Sequence, residues 1–420
     1  MQGLIELGAL WILSGTSMFV WRYWRSLRRA WCEPVLRRLV MAFESDDWGP
    51  GGAEDVQALQ RLADILDATR DSTGRPAVMT IGVVLAVPDT RRVEVRGGER
   101  YVSRPLDDDA FDSIRAVLAG GERRGVFALQ LHGMEHYWPP ALMRAARNGR
   151  AVLQWLSNED PPRTEELPSA LQTRWADCTT LPSRPIDEDI IRKAVAEEVT
   201  AFGRIFGHFP KVVVPPTFVW TDAVEQAWAA NAVEVIVTPG RQYSGRDSRG
   251  ALQCRREGFW NGQTAPSGMS RTVRDVYFEP AYGHCRDDGI KALEEKLRVG
   301  QPALFETHRF NFLSELSQDV EAAFAEFQGL LNDALDRFPQ LVFRSTRELA
   351  SALKSRDEQL VERSVWRRLW PAMCRLRAVP GLRKWALLSG AAVPGVCLIA
   401  IGWLTRRRPW SEMVGGSADA

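Results

Sequence analysis

From residue 38 to residue 353, short stretches rich in β-branched residues alternate with longer stretches of helical pattern. Such alternation is typical of an α/β domain with a mainly parallel sheet, because each parallel crossover needs a connecting helix. The predicted strands are 39–44, 78–85, 126–131, 212–214, 233–237, 275–279, 302–306 and 341–344. The predicted helices are 54–69, 108–119, 188–206, 223–230, 288–299 and 313–338.

Seven or eight such units predict a distorted (β/α)7-8 barrel over residues 38–354. The main rival is a doubly wound open sheet. Against that rival, the sequence has neither of the glycine-rich phosphate loops that often mark one, G-x-G-x-x-G or G-x-x-x-x-G-K-[ST].

Composition excludes several classes of protein. The chain has 420 residues, of which 25% are charged and 45% hydrophobic, and its net charge is +1. These values are not those of a disordered chain or a polytopic membrane protein. Balanced charge gives no electrostatic reason to expect nucleic acid as a partner. The six cysteines are scattered without a C-x-x-C pair, which indicates reduced thiols.

Both ends of the chain are apolar, which predicts terminal membrane-associated helices. Residues 385–404 form an uncharged run long enough to cross a hydrocarbon layer of about 30 Å, and they predict a transmembrane helix. Residues 1–37 predict an N-terminal anchor or interfacial helix with a basic flank, with a signal peptide as the alternative. Residues 355–384 read as a basic amphipathic juxtamembrane segment, and 405–420 as a basic, then flexible, tail.

Basic residues follow the first apolar segment and precede the second. The positive-inside rule therefore predicts an inner-membrane location with the middle domain facing the cytoplasm, and membrane lipid as a partner.

Three predicted strands end in polar clusters: Glu-Ser-Asp-Asp-Trp-Gly at 44–49, His-Gly-Met-Glu-His at 132–136, and Glu-Thr-His-Arg-Phe-Asn at 306–311. The chain has five histidines, and three of them, His132, His136 and His308, fall in these clusters. Active residues of such barrels lie at the C-terminal ends of strands. These clusters are therefore the candidate functional site.

Two histidines separated by three residues can present both imidazoles to one ion, and an aspartate adds a hard oxygen ligand. This set leaves coordination positions open, as catalytic metal sites do. Asp46 and Asp47 are adjacent, so one can reach the metal while the other acts as a base.

In these clusters the chain resembles the polysaccharide deacetylase family, of the NodB-homology or carbohydrate esterase type. The first family motif, Asp-Asp-Gly after a strand, appears at 45–49 with Trp48 before the glycine. The second, H-[ST]-x-x-H, appears at 132–136 with Gly133 in place of the hydroxyl residue. The third, R-x-P-[YF], is echoed at 214–218 without its arginine, and the late L-x-x-H motif at 304–308 is one residue longer. The fourth motif, D-x-x-D-W, is absent.

The resemblance implies a distorted barrel that removes acetyl groups from N-acetylated sugars with a divalent metal. It implies Asp47, His132 and His136 as metal ligands, Asp46 as general base and His308 as general acid. Zinc is the first expectation for the metal, and cobalt, nickel and manganese suit the same ligand set.

A further group of residues is expected on the substrate side. Arg309 could replace the missing third-motif arginine, and Trp48 and Trp138 could stack against sugar faces. The remaining candidates are Pro216, Phe218 and Asn311. Irregular stretches at 87–104, 156–186 and 240–274 would rim the site.

The sequence thus predicts a metal-dependent deacetylase of N-acetylated glycans or lipid-linked sugar precursors, acting in cell-surface polysaccharide metabolism beside other biosynthesis proteins. Two alternatives stay open. One is a metal-dependent hydrolase of another amide or ester on the same barrel. The other is a non-catalytic glycan-binding or assembly component of a membrane biosynthetic complex.

Overall fold

The structure is a computed structural model that describes residues 2–95, 98–158, 162–314, 319–393 and 395–396, with the backbone alone at 2–5 and 7–9. The strands are β1 Val40–Trp48, β2 Met79–Val83, β3 Ala86–Pro88, β4 Ser103–Pro105, β5 Phe127–Leu131, β6 Val212–Val213, β7 Val235–Thr238, β8 Arg241–Arg246, β9 Leu252–Glu257, β10 Gln263–Thr264, β11 Ser270–Val273, β12 Val276–Tyr277, β13 Ala303–His308 and β14 Val342–Phe343. The α-helices are α1 Gln2–Cys32, α2 Ala53–Ala68, α3 Thr90–Val95, α4 Asp112–Arg124, α5 Pro139–Asn148, α6 Arg150–Asn158, α7 Glu188–Phe206, α8 Asp222–Ala230, α9 Arg286–Val299, α10 Val320–Arg337, α11 Thr346–Ser355, α12 Val365–Leu376 and α13 Leu382–Leu388.

One ten-stranded sheet carries the fold, in the order β10-β11-β7-β6-β5-β2-β1-β13-β12, with β14 beside the start of β1. Its pairs are parallel except β10–β11. The sheet curls, since Arg274 after β11 reaches Glu44 in β1. The prediction of an α/β fold with a mainly parallel sheet is confirmed, whereas within the described residues no strand pair closes the curl into the predicted barrel.

All eight predicted strands are present with shifted bounds, and β1 extends through both aspartates to Trp48. The sequence prediction missed several other elements. The stretch predicted as irregular at 240–274 contains the β8–β9 hairpin, β10 and β11, and the stretch at 87–104 contains α3 and β4. Helices α5, α6 and α11 were also not predicted.

Side chains of β1 alternate between two cores, as the period of a strand requires. Met41 and Phe43 point toward the outer helices, where the Phe43 ring stacks on Phe305 at 4.7 Å between centroids. Val40 and Ala42 point into the curl, where Leu349 and Leu353 of α11 pack against them. Further along the strand, the inward positions carry acidic side chains at the carboxyl edge of the sheet.

Helix α1 packs against the helices near the other end of the chain. Phe19 and Tyr23 of α1 lie in one cluster with Leu376, Leu382 and Ala391. This cluster is separate from the core of the sheet and its helices.

The prediction of a membrane location is wrong. In the part of the chain that the structure describes, every helix is too short or too polar to cross a membrane. The helix that contains Trp385 ends at Leu388, and Gly390 beyond it has a φ of 74°. Residues 397–404 of the predicted span, and the predicted tail 405–420, lie outside the described residues.

Candidate metal centre

A bulge in β1 brings two neighbouring aspartates to one site. In a regular strand Asp46 and Asp47 would point to opposite faces. The pairing of β1 with β2 shifts register between Ser45 and Trp48, and Asp47 has a φ of 69°. A positive φ is uncommon for a residue with a side chain, and it turns Asp47 toward the same edge as Asp46.

The two histidines come from the segment that leaves β5. His132 follows the strand directly, and Gly133 turns the chain with a φ of 94°. The ring of His132 is fixed by its Nδ1, which donates to the carbonyl oxygen of Val214 at 2.8 Å. This hydrogen bond leaves Nε2 with its lone pair toward Asp47, which is the tautomer that a metal requires.

The three candidate ligands converge. The Nε2 atoms of His132 and His136 lie 3.2 and 3.3 Å from Asp47 Oδ1, and all three ligand atoms lie within 4.8 Å of one another. Ligands of a tetrahedral ion at about 2.0–2.1 Å lie about 3.3–3.4 Å apart. The residues therefore fit a divalent ion, with one aspartate and two histidines facing it.

The charges of these groups also suit a cation. Burial disfavours the carboxylate of Asp47, but His136 and His132 outweigh it and hold the pKa of Asp47 well below its usual range. Burial lowers the pKa of His136 to about 4. Burial also opposes charge on His132, yet Asp46 and Asp47 raise its pKa. At neutral pH the site thus holds an ionised aspartate and a neutral His136, the forms that bind metal.

A guanidinium holds Asp46. Arg274, directly after β11, places Nη2 2.7 Å from Asp46 Oδ2, and both side chains are 1% exposed. Burial disfavours the charged carboxyl, but Arg274, with His132 and His308, lowers the pKa of Asp46. Asp46 is therefore ionised at neutral pH and held in one orientation.

Arg309 does not contact Asp46, which corrects the prediction that it replaces the third-motif arginine. Its Nε and Nη2 donate to Glu165 at 2.7 and 3.0 Å, and its Nη1 lies 3.5 Å from Asp55 Oδ1. Arg309 is buried in these contacts and ties the segment around Glu165 to the start of α2.

Two further carboxylates surround Arg274. Glu44 Oε2 lies 2.9 Å from Nη1, and Glu306 Oε2 lies 3.3 Å from Nε. Burial raises the pKa of Glu44 to about 7 against the charge of Arg274, and it raises the pKa of Glu306 as well. Both carboxyls therefore hold a proton more readily than an exposed glutamate does, whereas the pKa of Asp46 is lowered beside the same guanidinium.

His308, at the end of β13, lies beside Asp46 in the neighbouring strand, with its Nε2 3.9 Å from Glu306 Oε1, and it is held by an acidic partner. Its Nδ1 donates to Glu279 Oε1 at 2.5 Å, and Asn311 Nδ2 donates to the other oxygen of Glu279. Burial disfavours the charged imidazole, but Glu279 outweighs it and raises the pKa of His308 to about 10. His308 is therefore protonated at neutral pH. Asn311, predicted on the substrate side, is fully buried and supports Glu279 instead.

The three candidate ligands line a cleft of about 560 Å³ together with Asp46, Arg274 and His308. Beside His308, the ring of Phe310 stacks at 5.7 Å with 15° between planes, and Tyr282 lies 5.1 Å from Phe310. Tyr282 is 74% exposed. The cleft therefore has an aromatic rim next to its protonated histidine.

The remaining predicted substrate residues lie in different places. Trp48 is fully buried, with Nε1 donating to Ser45 Oγ at 2.8 Å, so its ring is not available to a sugar. Trp138 packs at the edge of the main core. Pro216 is buried, while Phe218 is half-buried, lines the cleft and lies 5.0 Å from the guanidinium of Arg274.

Sequence reasoning missed Arg274 and Glu279. Arg274 follows Thr272-Val273, a β-branched pair inside a stretch predicted as irregular, and Glu279 ends the predicted strand at 275–279. The available signal was a charged residue at a strand end, which is the position that identified the other candidates.

No protein-family model and no curated protein sequence matches the chain. Among solved structures, the peptidoglycan deacetylase PdaC from Bacillus subtilis is 11% identical, with a TM-score of 0.36, over 76% of this chain and 94% of that one. A family 4 acetyl xylan esterase from Clostridium thermocellum, in complex with a cobalt ion, is 12% identical, with a TM-score of 0.34, over 74% and 90%. A 4-alpha-glucanotransferase from Thermococcus litoralis is 10% identical, with a TM-score of 0.36, over 75% and 40%. Similarity at this level does not assign a function, so a function has to be inferred from the geometry of the site.

Proposed function

We propose that the chain is a metal-dependent deacetylase that hydrolyses N-acetyl groups of glycans or sugar precursors. The observation that carries the proposal is the convergence of Asp47, His132 and His136, with Asp46 and His308 beside them in opposite protonation states. Hydrolysis of an amide needs such a pair, since one group accepts a proton from water and the other gives one to the leaving amine.

Asp47, His132 and His136 would hold the ion. A divalent ion bound there would supply Lewis-acid chemistry, by polarising a carbonyl oxygen and making water more acidic. Asp46 is the base: it is ionised, and Arg274 fixes its Oδ2 at 2.7 Å. Asp46 accepts the proton of the attacking water, and Arg274 keeps the carboxylate aimed while the charge moves.

His308 is the acid. Its Nδ1 is engaged by Glu279, so the proton on Nε2 is the one available to the leaving nitrogen. An amine leaves an amide only when its nitrogen is protonated, and a histidine that stays charged at neutral pH can supply that proton. The paired carboxylate of Glu279 also fixes the ring against rotation.

The aromatic rim supports a sugar as substrate. Tyr282 and Phe310 present ring faces next to His308, and sugar rings pack their C–H faces on aromatic side chains. The acetyl group would then lie toward the candidate ligands at the floor of the cleft.

The test is acetate release by the purified chain with zinc or cobalt and N-acetylglucosamine oligomers. We expect turnover that a chelator stops. Asp46→Asn should lose roughly 10²–10⁴-fold in kcat while still binding the metal, and His132→Ala should lose metal affinity. His208→Ala is the matched control, because this exposed histidine contacts Glu122 and the ring of Phe202 and does not line the cleft. Full activity of Asp46→Asn would refute the assigned roles.

A substrate panel separates the proposal from its alternatives. Release of a different acid or amine, with no acetate from N-acetyl sugars, would indicate a hydrolase of another amide or ester. Tight glycan binding with neither metal uptake nor hydrolysis would indicate a non-catalytic component.

A further inference from the structure

Segment 132–136, which carries both candidate histidine ligands, lies on a buried charge network outside the cleft. Glu135 stands between the two histidines, and its side chain is engaged away from Asp47: Oε2 accepts from Arg174 Nη1 at 2.6 Å. The other oxygen, Oε1, accepts from Tyr101 Oη at 3.2 Å and Ser103 Oγ at 3.3 Å.

Arg174 joins this segment to α7. Its Nε donates to Glu198 Oε2 at 3.1 Å, and the same oxygen accepts from the backbone N–H of Met134 at 3.1 Å. Trp228 Nε1 donates to Glu198 Oε1 at 2.8 Å. The side chains of Arg174, Glu135 and Glu198 are 3%, 5% and 0% exposed, so one cation bridges two carboxylates away from water.

The network also shapes the turn at Gly133. A Cβ at this residue would lie 2.8 Å from the carbonyl oxygen of Glu135 and 3.0 Å from Cδ of Arg174. The backbone therefore lies directly on the aliphatic part of Arg174, and the absence of a side chain at Gly133 is what permits the contact.

The two histidines depend on this support to different degrees. His132 is fixed by its own hydrogen bond to Val214, whereas Nδ1 of His136 is buried without a hydrogen-bond partner among the described residues. The direction of the His136 ring is therefore set by the backbone at 133–137. That backbone is held both by the N–H groups of Leu85 and Ala86, which donate to the carbonyl oxygen of Met134 at 3.0 and 2.7 Å, and by the contacts of the Glu135 side chain and the Met134 N–H with the network.

We infer that Arg174 is a positioning residue of the metal centre: by bridging Glu135 and Glu198 it holds segment 132–136 so that His136 and His132 face Asp47 together. The inference rests on the proposed metal centre but not on the substrate or on turnover. Some residues support a metal ligand without binding the metal themselves. Removing one typically weakens metal affinity by roughly 10–100-fold.

The test measures Co²⁺ affinity and the visible absorption spectrum of the Co²⁺ form, neither of which needs turnover. Arg174→Met removes the bridge, and we expect a roughly 10–100-fold weaker affinity with a changed spectrum. Arg174→Lys keeps one positive charge and should recover part of the affinity. Arg271→Met is the matched control, because Arg271 is also buried and pairs with Glu225 at 3.5 Å, away from the segment. It should leave affinity and spectrum unchanged.

A folded Arg174→Met protein with unchanged affinity and spectrum would overturn the inference, and so would an equal loss in Arg271→Met. Where Arg174→Met does not fold, Glu135→Gln decides, because it keeps the shape of the side chain and removes the charge that faces Arg174, leaving one acceptor oxygen where Arg174, Tyr101 and Ser103 now have two. It should weaken Co²⁺ binding severalfold, and unchanged binding would refute the role. A chain that binds Co²⁺ in this manner but releases no acetate would refute the proposed function and leave the inference standing.

Discussion

Gly82 shows how closely the candidate site is packed at the level of single residues. It lies in β2 beside the bulge, and a Cβ built on it would be 2.2 Å from Asp46 Oδ1. A side chain at this position and the observed Asp46 cannot coexist. Because Arg274 holds the other oxygen, the carboxylate has to leave its partner if it moves.

We therefore predict that Gly82→Ala lowers kcat by roughly 100-fold, which is the cost of a displacement of about 1 Å in a catalytic group. Metal affinity should stay near that of the unchanged chain, since the three atoms nearest to a Cβ at Gly82 all belong to Asp46 and none to a candidate ligand. Acetate release and Co²⁺ titration measure the two quantities. Gly120→Ala, in α4, is the control, because a Cβ there would meet only the end of the Arg123 side chain at 3.9 Å, and equal rates for the two variants would contradict the prediction.

Glu279 sets the protonation of His308, which gives a prediction for the pH profile. Burial alone would lower the pKa of His308. The carboxylate of Glu279, together with Asp47 and Glu306, outweighs burial and raises this pKa to about 10. Glu279→Gln keeps an acceptor oxygen but removes the charge. The pKa of His308 should fall, so the alkaline limb of kcat/KM should move to lower pH by at least about one unit.

The control for this prediction is Glu122→Gln, which neutralises the partner of exposed His208 at 3.2 Å. Its profile should match that of the unchanged chain. An alkaline limb that stays in place in Glu279→Gln would show that His308 is not the group that titrates.

Residue types and spacing were enough to predict Asp46, Asp47, His132, His136 and His308 as one site, because all five lie at or just beyond the carboxyl ends of parallel strands. Arg274 could not be assigned as the partner of Asp46 in the same manner. β11 and β1 are separated by four strands in the sheet, so only the curl brings Arg274 to Asp46.

At the level of elements, the predictions succeeded where periodicity was strong. Helix α7 was predicted at 188–206 and has those bounds, with Asp187 capping its start and Gly207 ending it at a φ of 76°. The β8–β9 hairpin was missed because every residue of β9 is exposed, so the strand has no alternation of buried and exposed positions to detect. The strands predicted at 275–279 and 341–344 are present as β12 and β14, each shortened to the two residues that pair with a neighbouring strand.

Arg375, in α12, connects this helix to the C-terminal ends of α1 and α9. Its guanidinium donates to five backbone carbonyls, those of Ala30, Glu33, Pro34, Val299 and Gly300. These carbonyls lie at or beyond the ends of α1 and α9, where helical hydrogen bonds run out.

We predict that Arg375→Met lowers the free energy of unfolding by about 3 kcal/mol or more, because buried carbonyls would lose a charged donor. Arg377→Met, an exposed position one residue beyond α12, should change it by less than about 0.5 kcal/mol. Urea unfolding of both variants compares them. Equal midpoints would show that the carbonyls find other donors.

At the level of the whole molecule, the prediction of a membrane location was wrong, because no described helix is long and apolar enough to cross a membrane. The contact between the two terminal segments could not be predicted either. Phe19 and Tyr23 near the start contact Leu376 and Leu382 near the end, a pairing of segments more than 350 residues apart that no local pattern encodes.

The candidate metal centre links distant parts of the chain, so the ion should stabilise the whole fold. Asp47 lies on β1, in the middle of the sheet, and both histidines follow β5, two strands away. An ion that binds the folded chain and not the unfolded one raises the free energy of unfolding by about 2.7 kcal/mol when its free concentration is 100 times its Kd. Zinc should therefore raise the unfolding midpoint of the intact chain, and a chelator should reverse the change. Asp47→Asn and His136→Ala should abolish the response, while His208→Ala should retain it. If zinc raised the unfolding midpoint equally in all these variants, it would bind at another site and the proposed metal centre would be wrong.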